Sequence, residues 1–260
     1  MIVATGLVVS RGGADVVRGV SIDVAGGAWL TIVGPNGAGK SSMLLALAGL
    51  IPAAGSIVVG GVSIAEGSTR TRARRVALVA QQPVVPEALT VAEYVSLGRT
   101  PHLSFFGTET ARDHELADEV LARIDLTWAA ERRVDTLSGG EFRRAVVGRA
   151  LAQEAEVLLL DEPTTGLDLG HQVDVLELVD ELRRERGITV VSAMHDLTLA
   201  ARFSDRFALL AHGEIVAEGT PAEVLDPHVL ARHYGIAVHV VHGPGGELIV
   251  VPARTPVGRR

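Results

Sequence analysis

The stretch Gly34-Pro35-Asn36-Gly37-Ala38-Gly39-Lys40-Ser41 fits the pattern G-x-x-x-x-G-K-[ST] and directly follows the apolar run Trp29–Val33. A strand that feeds a glycine-rich loop opening a helix aims several backbone N–H groups and a positive helix end at one point. That arrangement suits a polyphosphate, with Lys40 reaching the β- and γ-phosphates and Ser41 reaching Mg²⁺. The alternative is a chance glycine turn, but the strand before the loop and the helix-forming residues 43–50 after it supply the required context. Nucleotide binding is therefore the first hypothesis.

Composition narrows the class of protein. With 260 residues and 47% apolar content, the chain can bury a sizeable core in one or two domains, and we expect two lobes in one unit. The net charge of -7 gives no general attraction to nucleic acid, and the lack of cysteine excludes disulfides and thiolate metal sites. No apolar run reaches the roughly 18 residues that cross a bilayer. We expect a soluble cytoplasmic protein whose membrane role, if any, is peripheral.

The distribution of apolar residues predicts an α/β fold. Residues 2–10 and 16–24 are expected to form a hairpin, and residues 56–64 another, giving an antiparallel β layer. Four apolar runs without alternation are typical of strands buried on both faces, and they predict a central parallel sheet. These runs are residues 30–33, 76–79, 157–160 and 188–191. A helical insertion is expected at about residues 84–150, with a helix beginning at the capping-box spacing Thr90 to Glu93.

Two carboxylates follow one of the expected strands. Asp161 and Glu162 end the apolar run of residues 157–160, so they face the same crevice as the glycine-rich loop if both leave the same edge of the sheet. Asp161 can hold Mg²⁺ through water, and Glu162 can polarise an attacking water. The alternative is an ordinary strand that ends in an acidic turn.

A second glycine-rich helix start is Leu137-Ser138-Gly139-Gly140-Glu141. Ser138 and Glu141 have capping-box spacing, and the two glycines leave backbone N–H groups exposed, which makes a second anion site. A simple capped helix is the alternative, because one chain has no obvious use for a second phosphate site.

Taken together, these motifs resemble those of the ATP-binding subunits of ABC transporters, in the family order and along nearly the whole chain. The matching segments are the phosphate loop, Gln81 as the Q-loop, the signature 137–141, the magnesium strand 157–162, the D-loop 165–168 and His195 as the switch histidine. The resemblance implies a P-loop NTPase core of mixed, mainly parallel sheet with an antiparallel β layer at residues 1–83 and 151–225. It also implies a helical subdomain at about 84–150 and a C-terminal extension at about 226–260.

The resemblance further implies a homodimer that packs head to tail around ATP and Mg²⁺. Ser138, Gly139 and Gly140 of one subunit would bind the γ-phosphate held by the other, and Asp168 would cross the interface. The implied catalytic residues are Glu162, His195 and Gln81, and the implied metal ligands are Ser41, Gln81 and Asp161. The implied ATP-binding residues are Gly34, Pro35, Asn36, Gly37, Ala38, Gly39, Lys40, Ser41, Ser42 and Arg11.

Two positions depart from the family pattern. Arg11 stands where an aromatic residue usually stacks on adenine, and a guanidinium plane can also stack on a base. Phe142 follows the signature where a polar residue is common. Hydrolysis is still expected at both of the ATP sites that the two subunits would form together, because Glu162 is present.

Within the family, residues 89–95, 98–102 and 167–172 resemble subunits that energise import of iron-siderophores, haem or cobalamin. That resemblance implies a peripheral location on the cytoplasmic face of the membrane, integral membrane permease partners, an indirect link to a substrate-binding protein and no direct cargo contact. The groove near Gln81 and residues 84–106 should receive a coupling helix of the permease. Residues 103–106 are either a buried loop anchor or an exposed docking patch.

Two other functions remain open. One is an exporter ATPase, which would carry the same catalytic motifs, and the other is a soluble ABC ATPase that clamps nucleic acid or the ribosome. The basic residues 70–75 could contact nucleic acid, but a solvated helix face is the better interpretation because the chain is acidic and no aromatics are interleaved.

Overall fold

The computed structural model describes residues 1–84, 87–103 and 108–253. Twelve strands lie in these ranges: β1 Ile2–Arg11, β2 Ala14–Val24, β3 Trp29–Val33, β4 Ala54–Val59, β5 Val62–Ser63, β6 Val76–Val79, β7 Val157–Asp161, β8 Thr189–Ala193, β9 Arg206–Ala211, β10 Glu214–Gly219, β11 Val238–His242 and β12 Leu248–Pro252. The α-helices described there are α1 Lys40–Leu47, α2 Thr69–Ala73, α3 Val91–Ser96, α4 Ala111–Arg123, α5 Gly139–Ala152, α6 Leu169–Arg186, α7 Leu197–Phe203, α8 Pro221–Val224 and α9 Pro227–Tyr234. Short 3₁₀ turns cover Leu97–Arg99, Thr127–Ala129 and Val134–Thr136.

The central sheet has the strand order β10-β9-β3-β8-β7-β6. All neighbouring pairs from β9 to β6 are parallel, and only β10 runs antiparallel to its neighbour. Every residue of β3, β7 and β8 is buried, as the non-alternating apolar runs predicted. The prediction of an α/β fold with a mainly parallel sheet is confirmed.

Sequence analysis missed the strands β9 and β10. The edge strand β10 alternates between exposed and half-buried residues, and β9 joins the sheet through parallel pairing with β3. The sequence Arg-Phe-Ala-Leu-Leu-Ala of β9 contains no β-branched residue, so its extended form depends on tertiary pairing more than on local preference.

A second sheet of order β2-β1-β4-β5 forms the expected antiparallel layer. The turn between β1 and β2 is Gly12-Gly13, with φ of 58° and 84°. Positive φ at both central residues is what a tight hairpin turn requires, and glycine adopts it without steric cost. The turn places Arg11 at the tip of this layer.

The helical segment packs three helices, α3, α4 and α5, around an apolar interior. The predicted capping boxes at Thr90 with Glu93 and at Ser138 with Glu141 are both present. Arg99 is buried between these helices. Its guanidinium donates to the Asp113 carboxylate at 2.9 Å, to the Ala152 carbonyl at 2.8 Å and to the Glu154 carboxylate at 2.7 Å.

The C-terminal elements return to the core. The buried side chains of Val224, Leu225 and Leu230 join the same apolar cluster as Phe207. The backbone N–H of Val250 in β12 donates to the Thr198 hydroxyl of α7 at 3.0 Å. Among the described residues, no helix is both long enough and apolar enough to cross a bilayer.

We expect Arg99→Met to lower the free energy of unfolding by about 3 kcal/mol, because Asp113 and the Ala152 carbonyl lose a buried partner. Urea denaturation measures the change. Arg112→Met is the matched control, since that exposed arginine contacts Glu115 and Glu119 only at 3.5 Å and 3.4 Å. The control should stay within about 0.5 kcal/mol of the parent, and equal losses in the two variants would contradict the assignment.

Candidate active site

The glycine-rich loop joins β3 to α1 in a conformation that only glycine fits at two positions. Gly34 has φ of 150°, and a Cβ there would lie 2.0 Å from the carbonyl oxygen of Leu210. Gly39 has φ of 108°, and a Cβ there would lie 2.3 Å from the carbonyl oxygen of Val16. The backbone thus folds tightly against β9 and β2, and the first N–H groups of α1 have no acceptors within the helix.

Lys40 is the first residue of α1 and is only 6% exposed. Its ammonium group donates to the carbonyls of Gly34 at 2.7 Å and Pro35 at 3.1 Å. Burial lowers the pKa of Lys40, and the nearby carboxylates of Glu162 and Asp161 oppose that shift. The loop therefore encloses a cation whose present partners are neutral carbonyl oxygens.

A groove of about 490 Å³ opens over this loop. Arg11 lies on its wall, so the structure brings the tip of the antiparallel layer to the phosphate loop. Val16 and Leu45 also line the groove, although sequence analysis did not select them. The groove is lined by Arg11, Val16, Asn36, Gly37, Ala38, Gly39, Lys40, Ser41, Ser42, Leu45 and Glu162.

Ser41, which lines this groove, and the adjacent Asp161 offer two oxygen atoms as possible metal ligands. The Ser41 hydroxyl donates to Asp161 Oδ1 at 3.0 Å. Burial raises the pKa of Asp161, the hydrogen bond from Ser41 partly opposes it, and the charge of Glu162 adds to it. A carboxylate destabilised by burial and an adjacent hydroxyl are oxygen ligands of the kind that Mg²⁺ prefers, so the donor set fits this metal.

Glu162 follows β7 in a left-handed conformation with φ of 47°. Its backbone N–H donates to the carbonyl of Ala193 at 3.0 Å, which fixes the turn against β8. Its Oε2 accepts hydrogen bonds from the Gln81 amide at 2.7 Å and from the Thr165 hydroxyl at 2.9 Å. The imidazole Nδ1 of His195 lies 3.9 Å from the same oxygen.

The structure thus brings three of the sequence-selected residues, Gln81, Glu162 and His195, to one point. Gln81 bonds to Glu162 here, and neither Ser41 nor Asp161 is among its hydrogen-bond partners within the described part of the chain. Thr165 was selected only as the start of the D-loop. Its contact with Glu162 was missed because sequence shows the spacing of three residues but not the left-handed turn that brings the two side chains together.

The signature and the D-loop lie beside each other at the start of α5 and α6. The Ser138 hydroxyl accepts from the Glu141 N–H, and the Glu141 carboxylate accepts from the Ser138 N–H at 2.7 Å. These hydrogen bonds lower the pKa of Glu141. Asp168 caps α6 by accepting from the His171 N–H at 3.0 Å, and its other oxygen lies 2.9 Å from the His171 ring.

Ser138 and Gly139 are exposed, whereas Gly140 is buried against the His171 ring, where a Cβ would lie 2.6 Å from Cδ2. In the described part of the chain, no residue of the signature lines the groove over the phosphate loop. The signature, expected to be a second anion site, is therefore separate from the groove over the phosphate loop within one subunit.

A model of the ABC transporter family matches residues 17–165. The chain belongs to the ABC transporter family. As a member of this family, it is an ATPase that binds and hydrolyses ATP. The family assignment made from the six motifs is confirmed.

Relatives are similar over nearly the entire chain. The ferric enterobactin transport ATP-binding protein FepC of Escherichia coli (strain K12) is 38% identical over 95% of this chain and 92% of its own length. The hemin import ATP-binding protein HmuV of Streptomyces coelicolor is 43% identical over 97% of this chain and 90% of its own length. Among solved structures, the ATP-binding cassette MJ0796, a dimer in a post-hydrolysis state bound to ADP and Pi, superposes with a TM-score of 0.75. It is 27% identical and covers 85% of this chain and 99% of its own.

We expect Gly39→Ala in this ABC ATPase to weaken nucleotide binding at least about tenfold, because a Cβ at positive φ must push the loop away from Val16. Titration with a fluorescent ATP analogue measures the affinity. Gly67→Ala is the control, since a Cβ there meets Thr71 at an ordinary 3.4 Å. Wild-type affinity in Gly39→Ala would show that the loop does not need its left-handed residue.

Proposed function

We propose that this chain is the ATP-hydrolysing subunit of an importer for an iron-siderophore, haem or cobalamin. It would work as a head-to-tail homodimer attached to integral membrane permease subunits on the cytoplasmic face of the membrane. The observation that carries the ATP-hydrolysing part of the proposal is the convergence of Lys40, Ser41 and Glu162 on one groove, with Asp161 bonded to Ser41.

ATP would lie in the groove over the phosphate loop. The loop N–H groups and Lys40 would hold its phosphates, the Lys40 ammonium exchanging its carbonyl partners for phosphate oxygens. Ser41, Asp161 and Gln81 would hold Mg²⁺, which neutralises charge that develops on the phosphates. Arg11 would stack on the base from the wall of the groove.

Hydrolysis would depend on Glu162 as the group that polarises the attacking water. Gln81 and Thr165 fix the orientation of its Oε2, leaving Oε1 to accept from the water. His195, with its side chain 56% exposed and its Nδ1 3.9 Å from Glu162 Oε2, would contact the γ-phosphate.

The separation of the two expected anion sites supports the proposed dimer. The N–H groups of the first turn of α5 have no partners within the helix, and Ser138 and Gly139 are exposed. A second copy turned head to tail would bring this turn over the ATP held by its partner, with Asp168 at the same interface. ATP binding then closes the dimer, and hydrolysis reopens it.

A groove suitable for the permease lies between the core and the helical subdomain, which we propose spans about residues 84–150. Its volume is about 330 Å³, its lining is mostly apolar, and it includes Leu50, Leu78, Arg149 and the Ala80 that precedes Gln81. A permease coupling helix bound here would contact the Q-loop, so its position would respond to the bound nucleotide. Residues 85, 86 and 104–106 of the expected docking segment lie outside the described residues.

The importer assignment rests on the names of the relatives, which describe ferric enterobactin transport and hemin import. The permease and the indirect link to a substrate-binding protein follow from that assignment. Purification of the tagged chain from its own membranes distinguishes the alternatives. A co-purifying polytopic protein supports transport, whereas co-purifying ribosomes or nucleic acid support the clamp. Reconstituted vesicles then give the direction of transport, which separates an importer from an exporter.

We expect Glu162→Gln to lower ATP turnover at least about a hundredfold while ATP binding persists, because the amide cannot accept the proton of the attacking water. The ATP-loaded variant should accumulate as a dimer in size-exclusion chromatography. Lys40→Ala is the contrasting variant, and it should lose nucleotide binding itself. Rapid hydrolysis by Glu162→Gln would remove Glu162 from its assigned role.

We expect Leu50→Arg to abolish co-purification with the permease, because a charge would enter the mostly apolar groove. ATP hydrolysis by the isolated chain should change less than about twofold, since Leu50 does not line the phosphate groove. Val62→Arg, an exposed position on β5, is the control that should keep the permease. Retention of the permease by Leu50→Arg would place the docking surface elsewhere.

A further inference from the structure

Arg143 is a buried cation on the helix that carries the signature. It lies in the second turn of α5 and is only 7% exposed. Its Nη1 donates to the carbonyl of Ala80 at 3.3 Å, and its Nη2 donates to the carbonyls of Gln81 and Thr165 at 3.3 Å and 3.4 Å. One side chain therefore joins three parts of the molecule: the signature helix, the Q-loop and the start of the D-loop.

Two of these three carbonyls belong to the residues that hold Glu162. Gln81 and Thr165 each use the side chain to donate to Glu162 Oε2 and the backbone carbonyl to accept from Arg143 Nη2. The single nitrogen Nη2 thus links the backbones of the two residues whose side chains bind the Glu162 carboxylate. A displacement of α5 that moves Arg143 must shift both donors or break both hydrogen bonds.

The electrostatics of Arg143 fit a positioning role better than a packing role. Within the described ranges, no carboxylate lies at ion-pairing distance from its guanidinium, so carbonyl dipoles compensate the charge. Burial lowers the pKa of Arg143, but a guanidinium remains protonated at neutral pH. A buried charge without an ion-pair partner costs free energy. An apolar residue would stabilise the helix interface without the cost of desolvating a charge.

We propose that Arg143 is a positioning residue that transmits the location of the signature helix to the catalytic carboxylate. It does so by clamping the backbones of Gln81 and Thr165, and the inference rests on the proposed role of Glu162. When α5 moves with the helical subdomain, the hydrogen bonds that orient Glu162 Oε2 are made or lost together. Hydrolysis is thereby tied to the placement of the signature helix.

The decisive variants are Arg143→Met and Arg143→Lys. Methionine keeps much of the side-chain volume but removes all three donors, and lysine keeps the charge but cannot match the geometry of a planar fork. We expect kcat to fall about tenfold or more in Arg143→Met and less in Arg143→Lys, because small displacements of a catalytic group are costly. The KM for ATP and the affinity for a fluorescent ATP analogue should change less than about threefold, since Arg143 does not line the nucleotide groove.

The control is Arg123→Met, the same substitution at an arginine on α4 that pairs with Glu185 on the surface. It should leave kcat and KM unchanged. A merely structural role of Arg143 would overturn the proposal. It would show as a parallel loss of ATP affinity and of melting temperature in Arg143→Met, with kcat falling no further than those losses explain. If Arg143→Met does not fold, Arg143→Lys decides the question by the same split between kcat and KM.

A double-mutant cycle with Thr165→Val tests the route. This substitution removes the hydroxyl that holds Glu162 but keeps the carbonyl that accepts from Arg143. The effects of Thr165→Val and Arg143→Met on kcat should be clearly less than multiplicative, because both act through the same oxygen of Glu162. Fully multiplicative effects would contradict this route.

Glu162→Gln separates failure of the inference from failure of the proposed function. If Glu162→Gln is inactive while Arg143→Met has the kcat of the parent, only the role of Arg143 is wrong. If Glu162→Gln hydrolyses ATP rapidly, the assigned catalytic carboxylate is wrong, and the inference falls with it.

Discussion

The register of three neighbouring parallel strands is the constraint on which the active site depends. In β8, Ala193 pairs with Ile32 of β3 on one side and with Asp161 of β7 on the other. Its carbonyl also accepts the backbone N–H of Glu162. This pairing brings the phosphate loop, the two carboxylates and the residues before His195 to the same edge of the sheet. Since side chains alternate along a strand, a slip of one residue in β8 would point its whole set to the opposite face.

A chain of buried hydroxyl groups inside the core stabilises this register. The Thr31 hydroxyl of β3 lies 2.6 Å from that of Ser192 in β8 and also contacts that of Ser204, which follows α7. The indole N–H of Trp29 donates to Ser192 at 2.9 Å. Because buried polar groups are costly unless they are paired, this network favours one alignment of β3 and β8 over its neighbours. The strand that feeds the phosphate loop and the strand that ends before His195 are therefore linked inside the core.

The sequence predicts most of the phosphate site because its components are local. The glycine pattern, the apolar run before it and the carboxylates after β7 each follow from a few adjacent residues, and the family resemblance places Gln81 and His195 beside them. The contacts that sequence could not predict are those between distant segments. Arg143 meets the carbonyls of Gln81 and Thr165 only after α5 packs on the core, and nothing in its neighbours along the chain marks it. Similarly, β9 becomes a strand through its pairing with β3.

Within the phosphate loop, the Lys40 ammonium group is internally satisfied in the conformation described. This group is buried and bonded to the Gly34 and Pro35 carbonyls, so under the proposed function an arriving nucleotide would exchange one set of Lys40 hydrogen bonds for another. The net contribution of Lys40 to affinity would then be only the difference between a phosphate oxygen and a peptide carbonyl as its acceptor. Such an exchange favours acceptors that carry full negative charge and gives little advantage to neutral ones. The loop's own carbonyl groups would thus compete with the ligand for Lys40. Ligands of low negative charge would be excluded by this competition.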